Sequence, residues 1–180
     1  MIGLLKHLHI YQLVLDASSV DVSQPPPHEF KLVNATPDPD NPRSLGVRRI
    51  KFKNLHTLPV YITIINIGPA YGVHEIFPGT YASTQEVDPG SEIPGDVIVD
   101  LVVPDLLQEA SQQPNFEMRD IFKLFITTKQ VDFSYYRLPD LELNYGKLKD
   151  GVTRAVPRAR KVRAWTVEER ETITHLNSDH

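Results

Sequence analysis

The sequence predicts a mainly β protein, a two-sheet antiparallel β-sandwich that is immunoglobulin-like in general architecture and carries a short N-terminal helix. Short segments in which apolar and polar residues alternate recur from residue 29 onward. Fifteen prolines interrupt the 180 residues, as short strands joined by turns require. The composition, with 41% hydrophobic and 23% charged residues, is that of a globular chain that can bury a sizeable core.

The residue patterns divide the chain into three parts. Residues 1–17 are predicted to form a helix with an apolar stripe. The side chains that recur with helical spacing along this stripe are Leu4, Leu8, Tyr11 and Leu15. A helix this short is marginally stable alone, so we expect it to pack on the sandwich or to act as a linker to a neighbouring domain. Residues 18–28 form a Pro-rich linker that ends the helix, and residues 29–176 form the β-sandwich domain.

Within the sandwich domain, the alternation predicts eight or nine short strands. They span residues 29–34, 47–54, 58–67, 73–77, 82–87, 95–103, 119–128, 131–137 and 161–175. Segment 58–67 differs from the others because it is apolar on both faces, so both of its faces must be covered. We expect the N-terminal helix, a loop or a partner protein over its outer face. The inward faces of the strands predict five core residues, which are Phe52, Ile62, Leu101, Leu124 and Trp165.

Few residues of this chain fit a known catalytic pattern. The chain has no cysteine, which excludes structural disulfides, thiolate metal sites and a cysteine nucleophile. The motifs of serine hydrolases, zinc peptidases and nucleotide-binding loops are absent. The seven histidines lack the spacing of a metal-ligand set, and no pair of carboxylates can be assigned as in a glycosidase. We therefore expect no catalytic residue, no metal site and no cofactor, and we predict that the chain is not an enzyme.

The distribution of charge bears on the partners of the chain. A formal net charge of −4 argues against nucleic acid. No apolar run approaches the roughly 20 residues that span a bilayer, so we expect no membrane association. The absence of cysteine fits an intracellular protein, and we expect a cytoplasmic location. The basic run at residues 147–163 is typical of a solvated loop, with an acidic protein surface as the main binding alternative and nucleic acid as a weaker one. Its candidate partner-binding residues are Arg154, Arg158, Arg160 and Lys161.

Several blocks of the sequence, in order, carry a family resemblance. The first is LKHLHIYQLVLD at residues 5–16, and the second is IKFKNLHTLPVYITIINIGPAYGVHEIFPGTY at residues 50–81. The third is RDIFKLFITTKQVDFSYYRLPDLE at residues 119–142, and Trp165-Thr166 follows it. Together they resemble the region that follows the peptidase domain in caspase-like, metacaspase-related proteins of fungi and bacteria. The resemblance implies an accessory β-sandwich beside a cysteine peptidase, with the first block as the helix that leaves the peptidase domain.

Two functions of different classes are consistent with these patterns. The resemblance favours a non-catalytic accessory or interaction module of a caspase-like cysteine peptidase, joined in cis or in trans, with Leu4, Leu8, Tyr11 and Leu15 as its partner-binding residues. The catalytic His and Cys motifs of the peptidase have no counterpart here. The alternative is a stand-alone sandwich that binds a small molecule or carbohydrate, whose site would be a concave aromatic cluster. The Tyr71-Gly72 and Tyr135-Tyr136 steps are the candidates for such a surface.

Overall fold

The computed structural model describes residues 2–19, 24–36, 44–79, 84–141 and 166–176. It confirms the predicted mainly β fold with two antiparallel sheets and one short N-terminal helix. Helix α1 spans Ile2–Leu15. The strands are β1 (His28–Ala35), β2 (Ser44–Asn54), β3 (Val60–Ile67), β4 (Val73–Phe77), β5 (Gln85–Val87), β6 (Val97–Val102), β7 (Phe116–Thr127) and β8 (Thr166–Leu176).

The strands form two sheets of unequal size. The smaller sheet has the order β1-β2-β6. The larger sheet has the order β4-β3-β7-β8, and β5 joins it beside β4 on the same edge of β3. The pairing of β7 with β8 is the longest, running from Phe116 opposite Leu176 to Ile126 opposite Thr166. Strands β3 and β7 are therefore the central strands of the larger sheet.

The main core lies between the two sheets. Phe52 and Leu101 contribute from the smaller sheet, and Ile62 and Leu124 from the larger one. All four were predicted as core residues from the alternation of their strands, and all four are buried in this core. The fifth predicted core residue, Trp165, lies outside the described residues.

A second apolar cluster covers the outer face of the larger sheet. Ile65 and Ile67 of β3 and Ile121 and Phe125 of β7 point to this face and are buried there. Helix α1 covers them together with residues 131–138. Segment 58–67 is thus apolar on both faces because its strand, β3, has a cover on each side.

The prediction of a strand at residues 131–137 is wrong. Oδ1 of Asp132 accepts a hydrogen bond from the backbone N–H of Ser134 at 2.8 Å, and a 3₁₀ turn follows at Ser134–Tyr136. Such a local bond offers the chain an alternative to a sheet ladder. The turn buries Phe133 against Phe125, with their ring centroids 4.6 Å apart.

The other strand predictions differ from the structure mainly at their ends. Strand β7 begins at Phe116, earlier than predicted, and two 3₁₀ turns, Asp105–Leu107 and Ala110–Gln112, precede it. The predicted strand 82–87 is present in the described residues as Gln85–Val87. The glycine, proline and polar residues at segment ends predict where strands stop only to within a few residues.

Truncation of Phe52 tests the main core. We expect Phe52→Ala to lower the free energy of unfolding by about 3–5 kcal/mol, because it removes a fully buried ring and leaves a cavity. Leu58→Ala is the control, since Leu58 is exposed in the loop before β3. The measurement is urea denaturation followed by far-UV circular dichroism. An equal midpoint for Phe52→Ala and the control would contradict the assignment.

Candidate functional site

Helix α1 is attached to the sheet by one side. Val14 is completely buried, and Ile10, Tyr11 and Leu15 pack around it against the outer cluster. The Tyr11 hydroxyl donates a hydrogen bond to the carbonyl oxygen of Gly68 at 3.4 Å. These contacts join the helix to the β3–β4 turn as well as to the sheet.

A buried lysine fixes the C-terminal end of α1. Lys123 of β7 points to the outer face and its side chain is only 2% exposed. Its Nζ donates hydrogen bonds to the carbonyl oxygens of Leu15 at 2.5 Å and Ala17 at 3.0 Å. It also lies 3.3 Å from Oε2 of Glu169 on β8. A cation at this position satisfies carbonyls that the helix leaves unpaired and interacts favourably with the helix dipole.

The four helix residues predicted to bind a partner have different surroundings. Tyr11 and Leu15 pack on the sheet of this chain, while Leu4 and Leu8 are half-buried. The most exposed leucines of the helix are Leu5 at 64% and Leu13 at 46%. Sequence reasoning missed these two because apolar residues occur on every side of this helix, so its periodicity does not reveal which side docks.

The structure does not test the predicted basic partner-binding residues. Arg154, Arg158, Arg160 and Lys161 lie outside the described residues.

A buried carboxylate lies between the sheets near the β3–β4 turn. Asp120 is 5% exposed, and its Oδ1 accepts a hydrogen bond from Nδ2 of Asn66 at 3.1 Å. Its other oxygen, Oδ2, is buried and has no hydrogen-bond partner among the residues that the structure describes. Burial raises the pKa of Asp120, and the negative charge of Asp140 raises it further. The hydrogen bond from Asn66 acts in the opposite direction and lowers the pKa. Sequence reasoning missed this residue because its neighbours come from separate strands.

A histidine–carboxylate pair lies at the same end of the sheet. Nε2 of His74 is 2.7 Å from Oδ1 of Asp140, and this hydrogen bond raises the pKa of His74. Gly72 lies directly beside the pair: a Cβ there would lie 1.9 Å from Oδ1 of Asp140, so a side chain at this position would displace the Asp140 carboxylate. A nucleophilic triad needs a hydroxyl or thiol bonded to the histidine. In the described part of the chain, no such group bonds to His74, and no group of three or more His, Asp or Glu side chains is arranged to hold a metal ion.

Two open grooves on the surface of the described residues are relevant to ligand binding. The first, of about 440 Å³, lies between β1 and β8 and is lined by Phe30, Lys31, Leu32, Asn34, Arg48, Arg170, Glu171 and Thr172. The second, of about 310 Å³, lies beside β4 and is lined by Val73, His74, Glu75, Gly79, Arg137, Leu138 and Pro139. Neither groove contains a cluster of aromatic side chains.

The tyrosine steps considered for ligand binding lie elsewhere. Tyr136 packs against the outer cluster, with Tyr135 beside it at 4.4 Å between ring centroids. Tyr71 makes an edge-to-face contact with Tyr11 at 5.3 Å. These rings support α1 and the 131–138 segment and do not line a concave surface in the grooves.

Comparison with protein-family models, with curated proteins and with solved structures returned no match for this chain. Among the described residues, no helix has the length and apolar character needed to cross a membrane.

Replacement of Lys123 tests how α1 is held. We expect Lys123→Met to lower the free energy of unfolding by about 1.5–3 kcal/mol, because two carbonyls at the helix end lose a charged donor. Amide hydrogen exchange in residues 10–17 should accelerate more than exchange in β3. Lys51→Met, at an exposed lysine of β2, is the control. Unchanged stability together with unchanged exchange in α1 would show that Lys123 does not hold the helix.

The raised pKa of Asp120 predicts a pH dependence. In the folded state the pKa of the Asp120 carboxyl lies above its ordinary value of 3.8, so the folded state binds this proton more tightly than the unfolded state does. The stability that the bound proton contributes is fully present below pH 3.8 and is lost as the pH rises through the folded pKa. The variant Asp120→Asn keeps an oxygen that can accept the hydrogen bond from Asn66, but its side chain cannot ionise. The stability of this variant relative to the native chain should therefore increase as the pH rises from about 4 through the folded pKa of Asp120. Urea denaturation at a series of pH values measures this, with Asp88→Asn at an exposed turn as the control. A difference for Asp120→Asn that did not change with pH would contradict the assignment.

Proposed function

We propose that the chain is a non-catalytic interaction module that associates with a caspase-like cysteine peptidase domain, in cis or in trans, through the solvent-facing side of α1. The observation that carries the proposal is that α1 is apolar on two sides. One side is buried around Val14, and the other presents Leu5 and Leu13 to solvent.

The exposed side of α1 suits a protein partner. Leu5, His9 and Leu13 follow one another at intervals of four, so they lie along one side of the helix. Burying a leucine contributes about 1.5–3 kcal/mol, so the two leucines supply a useful part of a binding energy. The helix is already docked and held by Lys123, so little ordering is required when a partner binds.

The choice of partner rests on the sequence resemblance. Residues 5–16, which include both exposed leucines, are similar to the helix that leaves the peptidase domain in caspase-like proteins. On this proposal the module works in the cytoplasm, where reducing conditions preserve the thiolate of such a peptidase.

We also propose that the chain is not itself an enzyme. It has no cysteine, so caspase-type acyl transfer has no nucleophile. The His74–Asp140 pair has no hydroxyl partner in the described residues. The alternative of a small-molecule or carbohydrate site gains no support from the grooves, since charged residues rather than stacked rings line them.

The proposal is tested with surface substitutions. Deletion of α1 is unsuitable, because it would expose Ile65 and Phe125 and destabilise the sheet. We expect the double variant Leu5→Gln/Leu13→Gln to weaken binding of a caspase-like domain in trans by about tenfold or more, without loss of melting temperature. Isothermal titration calorimetry measures the affinity.

Leu58→Gln is the matched control, since it changes a leucine of similar exposure in the loop before β3. Loss of binding in both variants would point to a general surface effect. Equal binding by the double variant and the native chain would refute the role of α1, and no binding by the native chain would refute the choice of partner.

A further inference from the structure

The outer edge of β8 carries backbone groups that have no hydrogen-bond partner in the described part of the chain. Both the N–H and the carbonyl oxygen of Val167 contact Oγ of Ser19, at 2.9 and 3.4 Å, so they point away from β7. Alternate residues of an antiparallel strand direct their backbone groups to the same side. The N–H and carbonyl groups of Glu171, Ile173 and His175 therefore point to the same edge, and within the described residues they have no hydrogen-bond partner.

The facing edge of β1 is also open. The carbonyl oxygen of Phe52, which lies opposite Phe30, accepts a hydrogen bond from Ile93, so Phe52 does not use it to bond to Phe30. The carbonyl oxygen of Phe30 instead points outward, where the Arg170 side chain reaches it at 3.4 Å. By the same alternation, Leu32 directs its backbone groups outward. The groove of about 440 Å³ thus runs between two strand edges that pair with no further strand among the described residues.

Among the charged residues that line this groove, one differs from the others. Lys31 pairs with Glu29, Arg170 with Glu168, and Glu171 with Arg119. Arg48 forms no ion pair with another described residue, although its positive charge acts to lower the pKa of the buried Asp120.

The side chain of Arg48 is held in place with donors to spare. Its Nε donates to Oγ1 of Thr172 at 3.1 Å, and its Nη1 donates to the carbonyl oxygen of Val47 at 3.3 Å. A guanidinium has five N–H donors, so this oriented group retains the capacity to bind a carboxylate.

We propose that the groove between β1 and β8 binds an extended, acidic peptide segment of a partner protein, which adds to the edge of β8 as a further strand and places a carboxylate on Arg48. Backbone pairing supplies affinity in this mode of recognition, and the side chains that meet the groove supply selectivity. The half-buried Leu32 and the buried Phe30 give the groove an apolar wall, and Arg48, the lining cation for which the described residues supply no ion pair, disfavours a basic segment. This site is separate from the exposed side of α1 and does not depend on the function proposed above.

The test uses two nine-residue peptides with blocked ends, one alternating threonine and glutamate and the other alternating threonine and lysine. Fluorescence anisotropy should show binding of the acidic peptide and much weaker binding of the basic one. Arg48→Gln should weaken the affinity for the acidic peptide by about tenfold or more. Arg49→Gln is the matched control, because Arg49 lies next in β2, points to the other face and pairs with Asp96.

A second pair of probes separates strand addition from simple charge attraction. N-methyl groups on the alternate residues whose N–H groups pair with β8 should abolish binding of the acidic peptide. N-methyl groups on the residues between them, whose N–H groups point away from β8, should be tolerated. The amide signals of Glu171 and Ile173 should shift in nuclear magnetic resonance spectra on binding. Melting temperatures of both arginine variants establish that they fold.

Several results would overturn the proposal. They are no binding of the acidic peptide, equal binding of both peptides, equal effects of the two arginine substitutions, or indifference to N-methylation on both edges. Self-association of the chain that the acidic peptide does not displace would assign the groove to a second copy and would also overturn it.

Discussion

Strands β3 and β7 are apolar on both faces, and the rest of the structure depends on how those faces are covered. The smaller sheet covers the inner face, where Ile62 and Leu124 meet Phe52. Helix α1 and residues 131–138 cover the outer face. Without the second cover, a row of isoleucine and phenylalanine side chains would be exposed to water, at a cost of about 25 cal/mol per Å² of apolar surface. The helix is therefore a structural layer of this domain.

Lys123 connects that packing constraint to electrostatics. This lysine lies beside the outer apolar cluster, at the point where the helix ends and presents its carbonyl oxygens. A lysine buried in an apolar layer is costly unless it is fully bonded, and here two carbonyls and Glu169 surround it. The side of α1 that docks is the one that carries Val14, Tyr11 and Leu15. Leu5 and Leu13 are consequently left outside, which is the basis of the proposed interaction surface.

The strand pattern was predictable because alternation reports directly which side chains are buried. It placed four described core residues correctly, and it identified the strand that needs two covers. It failed at residues 131–137, where apolar residues alternate but Asp132 bends the chain into a turn. It also failed to identify the docked side of α1, because the helix is apolar on two sides and its periodicity does not distinguish them. No local pattern in the sequence indicates that Arg48 lines the groove between β1 and β8 or that Asp120 is buried.

The sequence by itself determined the class of fold, the inward faces of most strands and the absence of a cysteine nucleophile, because each of these follows from local pattern or composition. Only the tertiary structure decided which charged groups are paired. Lys123 meets the end of α1 across more than a hundred residues of chain, and Arg48 meets Thr172 across a similar span. Hydrogen bonds are effective only over about 3 Å, so such pairings follow from the register of strands that are distant in sequence. For that reason the two surfaces proposed for binding became visible only once the sheets were assembled.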